Sequence, residues 1–432
     1  MSIGRAIVLA AVVLAVAGVV TPTAGAASGA KFGIHDDAWL LSGPGTLSSR
    51  LAEFDRIGVD IVRFTLRWDD IATERPADPT DPTDDAYRWG GADAVLAGLN
   101  RHGIAIVVTL VGTPTWANGG LGSNWAPVSS ASFADFAYAA ARRYPFVRYW
   151  TIWNEPNQRR WLRPTSPNVY VQRLLNPAYV AIKRASPQAL VGGGVTAPRG
   201  NAGGVSPLAW IEGMGKARAR LDAYAHHPYP LQPQVETPWS GGCSHCQTIS
   251  MASLERLTAA VRRSLGPKRI WLTEYGYQTN PPDEWLGIAP ALQALYTAEA
   301  SLRVWKAPYV DMLINFLYQD DSADTDLSSG WQSGFITAAG VAKPSLRAFM
   351  LPLARVSRRG ERTTVWGQVR PRSGAQPYRL QELRLGAWQW LGSDRATERD
   401  GSFRVTVHAG LSASLRIWSP RDEMFSPTLR VR

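Results

Sequence analysis

Residues 149–157 read Tyr149-Trp150-Thr151-Ile152-Trp153-Asn154-Glu155-Pro156-Asn157. Val147 to Trp153 is an apolar, aromatic-rich run, the pattern of a strand buried on both faces in a parallel sheet. Pro156 cannot continue a central strand, so Asn154 and Glu155 stand where the strand ends. In barrels of parallel strands, side chains at the carboxyl ends line the working face. A second stretch has the same build: Arg269-Ile270-Trp271-Leu272-Thr273-Glu274-Tyr275-Gly276 is a short apolar strand ending on a glutamate. The expectation is that Glu155 and Glu274 face each other across one pocket.

Working outward from these two stretches, strands and helices alternate. The expected strands begin at Lys31–His35, Asp60–Phe64, Ile104–Leu110, Val147–Trp153, Ala189–Gly193, Leu221–Tyr229, Arg269–Gly276 and Val310–Phe316. Helices are expected over Thr46–Ile57, Gly91–Arg101, Ser132–Arg143, Val169–Ala185, Leu208–Met214, Ser250–Ser264, Ala291–Trp305 and Lys343–Met350. Strand ends recur every ~30 to 45 residues, the pace of βα units carrying insertions, so Lys31 to Met350 reads as a (β/α)8 barrel, an α/β fold. A doubly wound open sheet is the rival, but no glycine-rich phosphate turn follows the first strand. The proline- and aspartate-rich segment 77–85 reads as surface coil; its spacing matches no EF-hand loop. From Leu353 on, the apolar period changes to two, as in Thr363–Val369, Ser402–Val407 and Ala413–Trp418, with Gly-containing turns between. Residues 353–432 are therefore expected to form an antiparallel sandwich of immunoglobulin-like size.

Composition narrows the classes. The 432 residues are 45% apolar, normal for a globular chain, but include 18 Trp, which serve packing and, on a surface, present flat indoles to sugar rings. Arg5, the apolar run Ile7–Val20 and Ala24-Gly25-Ala26 read as a signal peptide over residues 1–26, with a retained anchor as the alternative. The protein is then expected to be secreted or extracellular, with no membrane insertion once the leader is gone. In that setting Cys243 and Cys246 are expected to form a local disulfide; a metal site would need two more ligands, and only His245 is adjacent. Of the net charge of +11, a surplus of +8 falls in residues 353–432, which hold 15 Arg and no Lys against 7 acidic residues. That module suits an anionic polymer or a wall surface, or is simply Arg-rich. No nucleic-acid recognition motif is found. Nothing calls for a cofactor or a metal, and a monomer is expected.

Two glutamates at the ends of the fourth and seventh strands of an eight-strand ring are nearly opposite. Side chains reaching inward would come within about 5 Å, the gap of a double-displacement pair and too tight for an intervening water. Glu155, beside Asn154 and indoles, suits a protonated acid; Glu274 suits an ionised nucleophile if Arg63 lies close. A charge inside the strand Asp60–Phe64 is expensive unless paired.

Trp153-Asn154-Glu155-Pro156 and Trp271-Leu272-Thr273-Glu274-Tyr275-Gly276 resemble the signatures of retaining glycoside hydrolases of clan A, with cellulase-like and family 39-like members nearest. The resemblance covers roughly Lys31 to Met350. It implies a (β/α)8 fold, Glu155 as acid/base, Glu274 as nucleophile, and Asn154 on the sugar 2-hydroxyl. It further implies that Arg63 orients the nucleophile and that Tyr229, in His227-Pro228-Tyr229, hydrogen-bonds Glu274. Where the clan often has a Trp on strand eight, this chain has Phe316 and Tyr318, with Trp331 downstream. The substrate implied is a carbohydrate, a cell-wall or extracellular polysaccharide among the options; a non-catalytic glycan-binding wall protein is the alternative. His35 and Asp37, at the end of the first strand, are expected at the pocket mouth, and His226 to face outward. Trp68, Trp116, Trp161, Trp285 and Trp331 follow strands and serve as sugar platforms or as packing. The candidate binding residues are thus Asn154, Arg63, His227, Tyr229, His35, Asp37, Trp116, Tyr318 and Trp331.

Overall fold

Eight parallel strands close on themselves: β1 (Lys31–His35), β2 (Ile61–Arg67), β3 (Ala105–Val111), β4 (Tyr149–Ile152), β5 (Leu190–Thr196), β6 (Ala223–His226), β7 (Arg269–Tyr275) and β8 (Val310–Phe316), which pairs back to β1. This computed structural model describes residues 29–242, 246–322, 330–372 and 374–431. The leader read in residues 1–26 lies outside them. So does Cys243, and with it the expected disulfide to Cys246. Among the described residues no helix is long and apolar enough to cross a membrane.

The lumen below the site is filled by side chains. Ile61, Val107, Val195, Ala223, Ala225, Trp271, Met312 and Ile314 form its buried cluster. Trp271 is the largest of them, and it explains one glycine of β5: a Cβ on Gly192 would sit 2.7 Å from its indole, while Leu175 and Tyr224 crowd Gly193 and Gly194. The outer faces of the strands pack on the helices, as the amphipathic stretches predict. The expected helix Val169–Ala185 is interrupted. Pro167–Tyr170 is α, Val171–Leu175 is a π turn, and Asn176–Ala185 is α again. Pro177 has no N–H to give the carbonyl one turn back, which widens the turn before it.

Residues from 353 on form two antiparallel sheets. The first has the order β14 (Ser402–His408), β10 (Arg362–Gln368), β9 (Leu353–Arg359). The second has the order β12 (Ala387–Trp390), β11 (Pro377–Arg384), β15 (Ser414–Ser419), β16 (Met424–Phe425), with β13 (Arg395–Ala396) on β11 and β17 (Leu429–Arg430) on β15. The sheets meet through residues such as Tyr378 and Phe403, whose rings stack at 3.9 Å. On its other face the first sheet sets Ala354 and Trp366 against Leu302 of the helix Pro290–Trp305.

Two arginines join this module to the closed end of the barrel. Arg370 is fully buried, lies 3.8 Å from the Phe32 ring and 4.8 Å from the Phe349 ring, and donates to the Phe349 carbonyl at 2.8 Å. Burial pushes its pKa down to about 9. Arg372 pairs with Asp60 at 2.7 Å, and Asp60 also accepts from the Phe32 N–H. Arg370→Ala leaves a cavity and an unpaired carbonyl between two packed units, so it should cost about 2–4 kcal/mol. Chemical denaturation checks this; a loss below about 1 kcal/mol means that the contact is incidental.

Candidate active site

At the carboxyl end of the barrel a cleft of about 780 Å³ opens, lined by residues from the ends of all eight strands, Val111 being that of β3. Its floor is organised by Arg63, which is 1% exposed and uses its whole fork. Nε donates to Thr109 Oγ1 on β3 at 2.8 Å, Nη2 to Asn154 Oδ1 after β4 at 2.7 Å, and Nη1 to Glu274 Oε1 on β7. Thr109 is itself fixed by Thr151 at 2.7 Å. Both threonines are polar residues inside apolar strands, a signal that sequence reading passed over.

Glu274 is surrounded by donors. Tyr229 Oη donates to Oε2 at 3.1 Å, and His35 Nδ1 lies 3.6 Å from Oε1. Burial alone would raise its pKa. His227, Arg63 and His35 outweigh that and hold the carboxyl well below the usual carboxylate range. Tyr229 moves the opposite way: burial and the two nearby glutamates keep its hydroxyl protonated and so a donor.

His227 joins the two carboxylates. Its Nδ1 lies 3.0 Å from Glu155 Oε1 and 3.4 Å from Glu274 Oε2, and its Nε2 lies 3.1 Å from Thr273 Oγ1. One ligand atom from each of Glu155, His227 and Glu274 lies within 4.8 Å of the others. As a donor set this is poor for a cation, because the Arg63 guanidinium already occupies Glu274 Oε1.

Local backbone departures aim these groups. The β7–β8 register shifts between Leu272 and Tyr275, so Thr273 and Glu274 both take part in the buried network. After β4 the chain turns through left-handed conformations at Trp153 (φ 72°) and Glu155 (φ 39°). Asn157, fully buried, then ties this exit to the one after β5: it accepts from the Ala197 N–H at 2.8 Å and donates to the Val205 carbonyl at 3.0 Å.

The expected residues are mostly here. Glu155, Glu274, Asn154, Arg63, Tyr229, His35, Asp37 and Trp331 line the cleft, and His227 supports it from below. Asp37 accepts from the Thr65 N–H at 3.2 Å and approaches His35 Nε2 at 3.4 Å. For His35, burial and Arg63 push its pKa down, but Asp37 and Glu274 bring the net shift upward. Trp331 stands 5.6 Å from the Tyr229 ring and 5.7 Å from Phe316, forming an aromatic wall.

Three expectations are corrected. Tyr318 is not at the cleft: its hydroxyl donates to Glu53 at 2.8 Å, and its ring packs on Trp39 and Phe54. Trp116 is drawn away as well, donating to the Ala72 carbonyl at 2.8 Å and packing edge-on against buried Trp68. His226, expected outward, is fully buried between Thr196 and the Ile249 carbonyl, and burial pushes its pKa down to about 3. Of the remaining indoles Trp161 lines the cleft, while Trp285 is 75% exposed and does not.

No family model matches the chain, and no curated protein does. Solved structures do. A family 39 glycoside hydrolase from the gut symbiont Bacteroides cellulosilyticus WH2 is similar with a TM-score of 0.60 and 17% identity, over 88% of this chain and 79% of that one. An exo-beta-1,4-mannosidase from Opitutaceae bacterium strain TAV5 has a TM-score of 0.50 and 17% identity, over 76% and 60%. CelM2, a bifunctional glucanase-xylanase from a metagenome library, has a TM-score of 0.50 and 12% identity, over 94% and 97%. Identities this low speak to the fold alone: a closed eight-stranded parallel barrel similar to those of these glycoside hydrolases, here followed by antiparallel β-sheets.

Proposed function

We propose that the chain is a retaining β-glycoside hydrolase that cleaves a polysaccharide or glycoconjugate, with Glu274 as nucleophile and Glu155 as acid/base. The observation that carries this is the approach of the Glu155 and Glu274 carboxylates to within 4.8 Å. That gap accommodates one anomeric carbon; an inverting pair needs about 6.5–9.5 Å to hold a water.

The geometry supports two displacements. Glu274, kept ionised by Arg63, attacks the anomeric carbon, and the bond from that carbon to the bridging oxygen breaks. Glu155 donates its proton to the departing oxygen, leaving a glycosyl ester on Glu274. Water then enters; Glu155 takes a proton from it as the new C–O bond forms, and the ester breaks to restore the Glu274 carboxylate. His227, within 3.0 Å of Glu155, supports the proton exchange. Asn154 Oδ1 accepts from Arg63 Nη2, which leaves the amide N–H groups of Asn154 for a sugar hydroxyl. Trp331 offers a face to the sugar ring.

A 2-fluoro aryl β-glycoside should label Glu274; peptide mapping that finds the label elsewhere overturns the roles. Glu155→Gln should lower kcat on an unactivated substrate by about 10²–10⁴-fold, the usual worth of general acid catalysis, and spare the first step with a good leaving group. An unchanged rate removes Glu155 from the mechanism. The pH profile tests the Arg63 role. With the guanidinium gone in Arg63→Met, the Glu274 pKa rises, less of it is ionised at low pH, and the acid limb of kcat/KM moves to higher pH. A limb that stays put in a folded variant assigns it to another group.

A further inference from the structure

The loops leaving β4 and β5 meet on the Glu155 side of the cleft and form a cationic corner. Gln158, 2% exposed, holds it together: its Nε2 donates to the Arg199 carbonyl and its Oε1 accepts from the Asn201 N–H at 3.2 Å. Arg160 and Arg199 line the cleft here with Trp161, and the Arg160 guanidinium lies over that indole at 5.6 Å. Arg199 Nη1 is buried and has no hydrogen-bond partner among the described residues. A buried guanidinium N–H that faces a cleft without an acceptor has room for one, a water or an oxyanion.

Among the described residues neither Arg160 nor Arg199 joins an ion pair, and Glu155 is the one acidic group of the cleft on these two exits. Asp36, Asp37, Asp70, Glu274 and Asp321 come from the exits of β1, β2, β7 and β8. The β2 side adds cations of its own: Arg63 pairs with Glu274, Arg67 pairs with Asp69 and Asp70, and Arg88 lines the cleft beside them. In the proposed mechanism the group that receives a proton from Glu155 leaves on the side of the β4 and β5 exits, where Arg160 and Arg199 stand, opposite the wall of Tyr229, Phe316 and Trp331.

We propose that this corner is an anion-binding leaving-group subsite: the departing unit carries an oxyanion, a uronic carboxylate or a sulfate ester, that pairs with Arg160 and Arg199. This deepens the hydrolase reading and rests on Glu155 as the acid. The fork of a guanidinium suits a planar or tetrahedral oxyanion, and the burial of Arg199 Nη1 reduces screening there.

Calorimetric binding to the full chain carrying Glu274→Gln tests it, with three trisaccharides of one length: neutral, uronate-bearing and sulfated. An anionic form should bind at least about tenfold tighter than the neutral one at low salt, and the tighter of the two names the oxyanion. Arg160→Gln, at an exposed position, should cut that preference about fivefold, and adding Arg199→Gln should abolish it. Equal binding, no binding, or a preference that survives both substitutions, as it would if the Arg-rich C-terminal sheets were the site, overturns the proposal. Labelling of Glu274 without an anion preference sinks the subsite and leaves the hydrolase reading; an anion preference without labelling or turnover leaves an anion site but overturns both its leaving-group role and the hydrolase reading.

Discussion

A single buried cation holds the working end of this barrel together. Arg63 leaves water almost completely, and a bare guanidinium in that setting would cost several kcal/mol. What offsets it is one full negative charge, Glu274, together with Asn154 Oδ1 and Thr109 Oγ1. Those partners sit on or next to three other strands, so satisfying one side chain sets the relative positions of β2, β3, β4 and β7. The same contact keeps Glu274 charged against the effect of burial. Stability and chemistry thus depend on the same atoms.

Around that pair the barrel departs from ideal geometry where side chains have to be re-aimed. Glu155 and Trp153 have positive φ, and β7 shifts register just before its last residues. β5 does the same at Val195, a β-branched residue at φ 45° whose side chain is thereby kept in the lumen cluster. Such conformations cost about 1–3 kcal/mol each and persist where the surroundings over-determine them. Here the surroundings are Asn157, which clamps the β4 and β5 exits together, and the aromatic core beneath.

The element order was readable because parallel strands buried on both faces leave continuous apolar runs, and because each run ends on a turn-forming or polar residue. The eight expected strands and the change of period near Leu353 correspond to what is observed, with ends moved by a few residues. Aromatic residues after the strands were less informative. An indole or phenol at a strand exit has the same local pattern whether it faces a cleft or a helix. Trp331 went to the cleft, Trp116 to the Ala72 carbonyl, and Tyr318 to Glu53, a partner 265 positions away. Neither partner is visible from the neighbours of Trp116 or Tyr318. His226 and His227 make the same point: adjacent residues are both buried, yet one contacts the Ile249 carbonyl and the other two glutamates.

What the residues determined unaided was the set of elements and the presence of one carboxylate at each of two matching strand ends, because periodicity and strand-breaking residues act locally. The separation of those carboxylates, the charge state of Glu274 and the lack of a partner for Arg199 Nη1 among the described residues were decided by tertiary structure alone. Each depends on a field or a contact between segments far apart in the chain, and both fall off within a few ångströms, a scale that only the closed barrel sets.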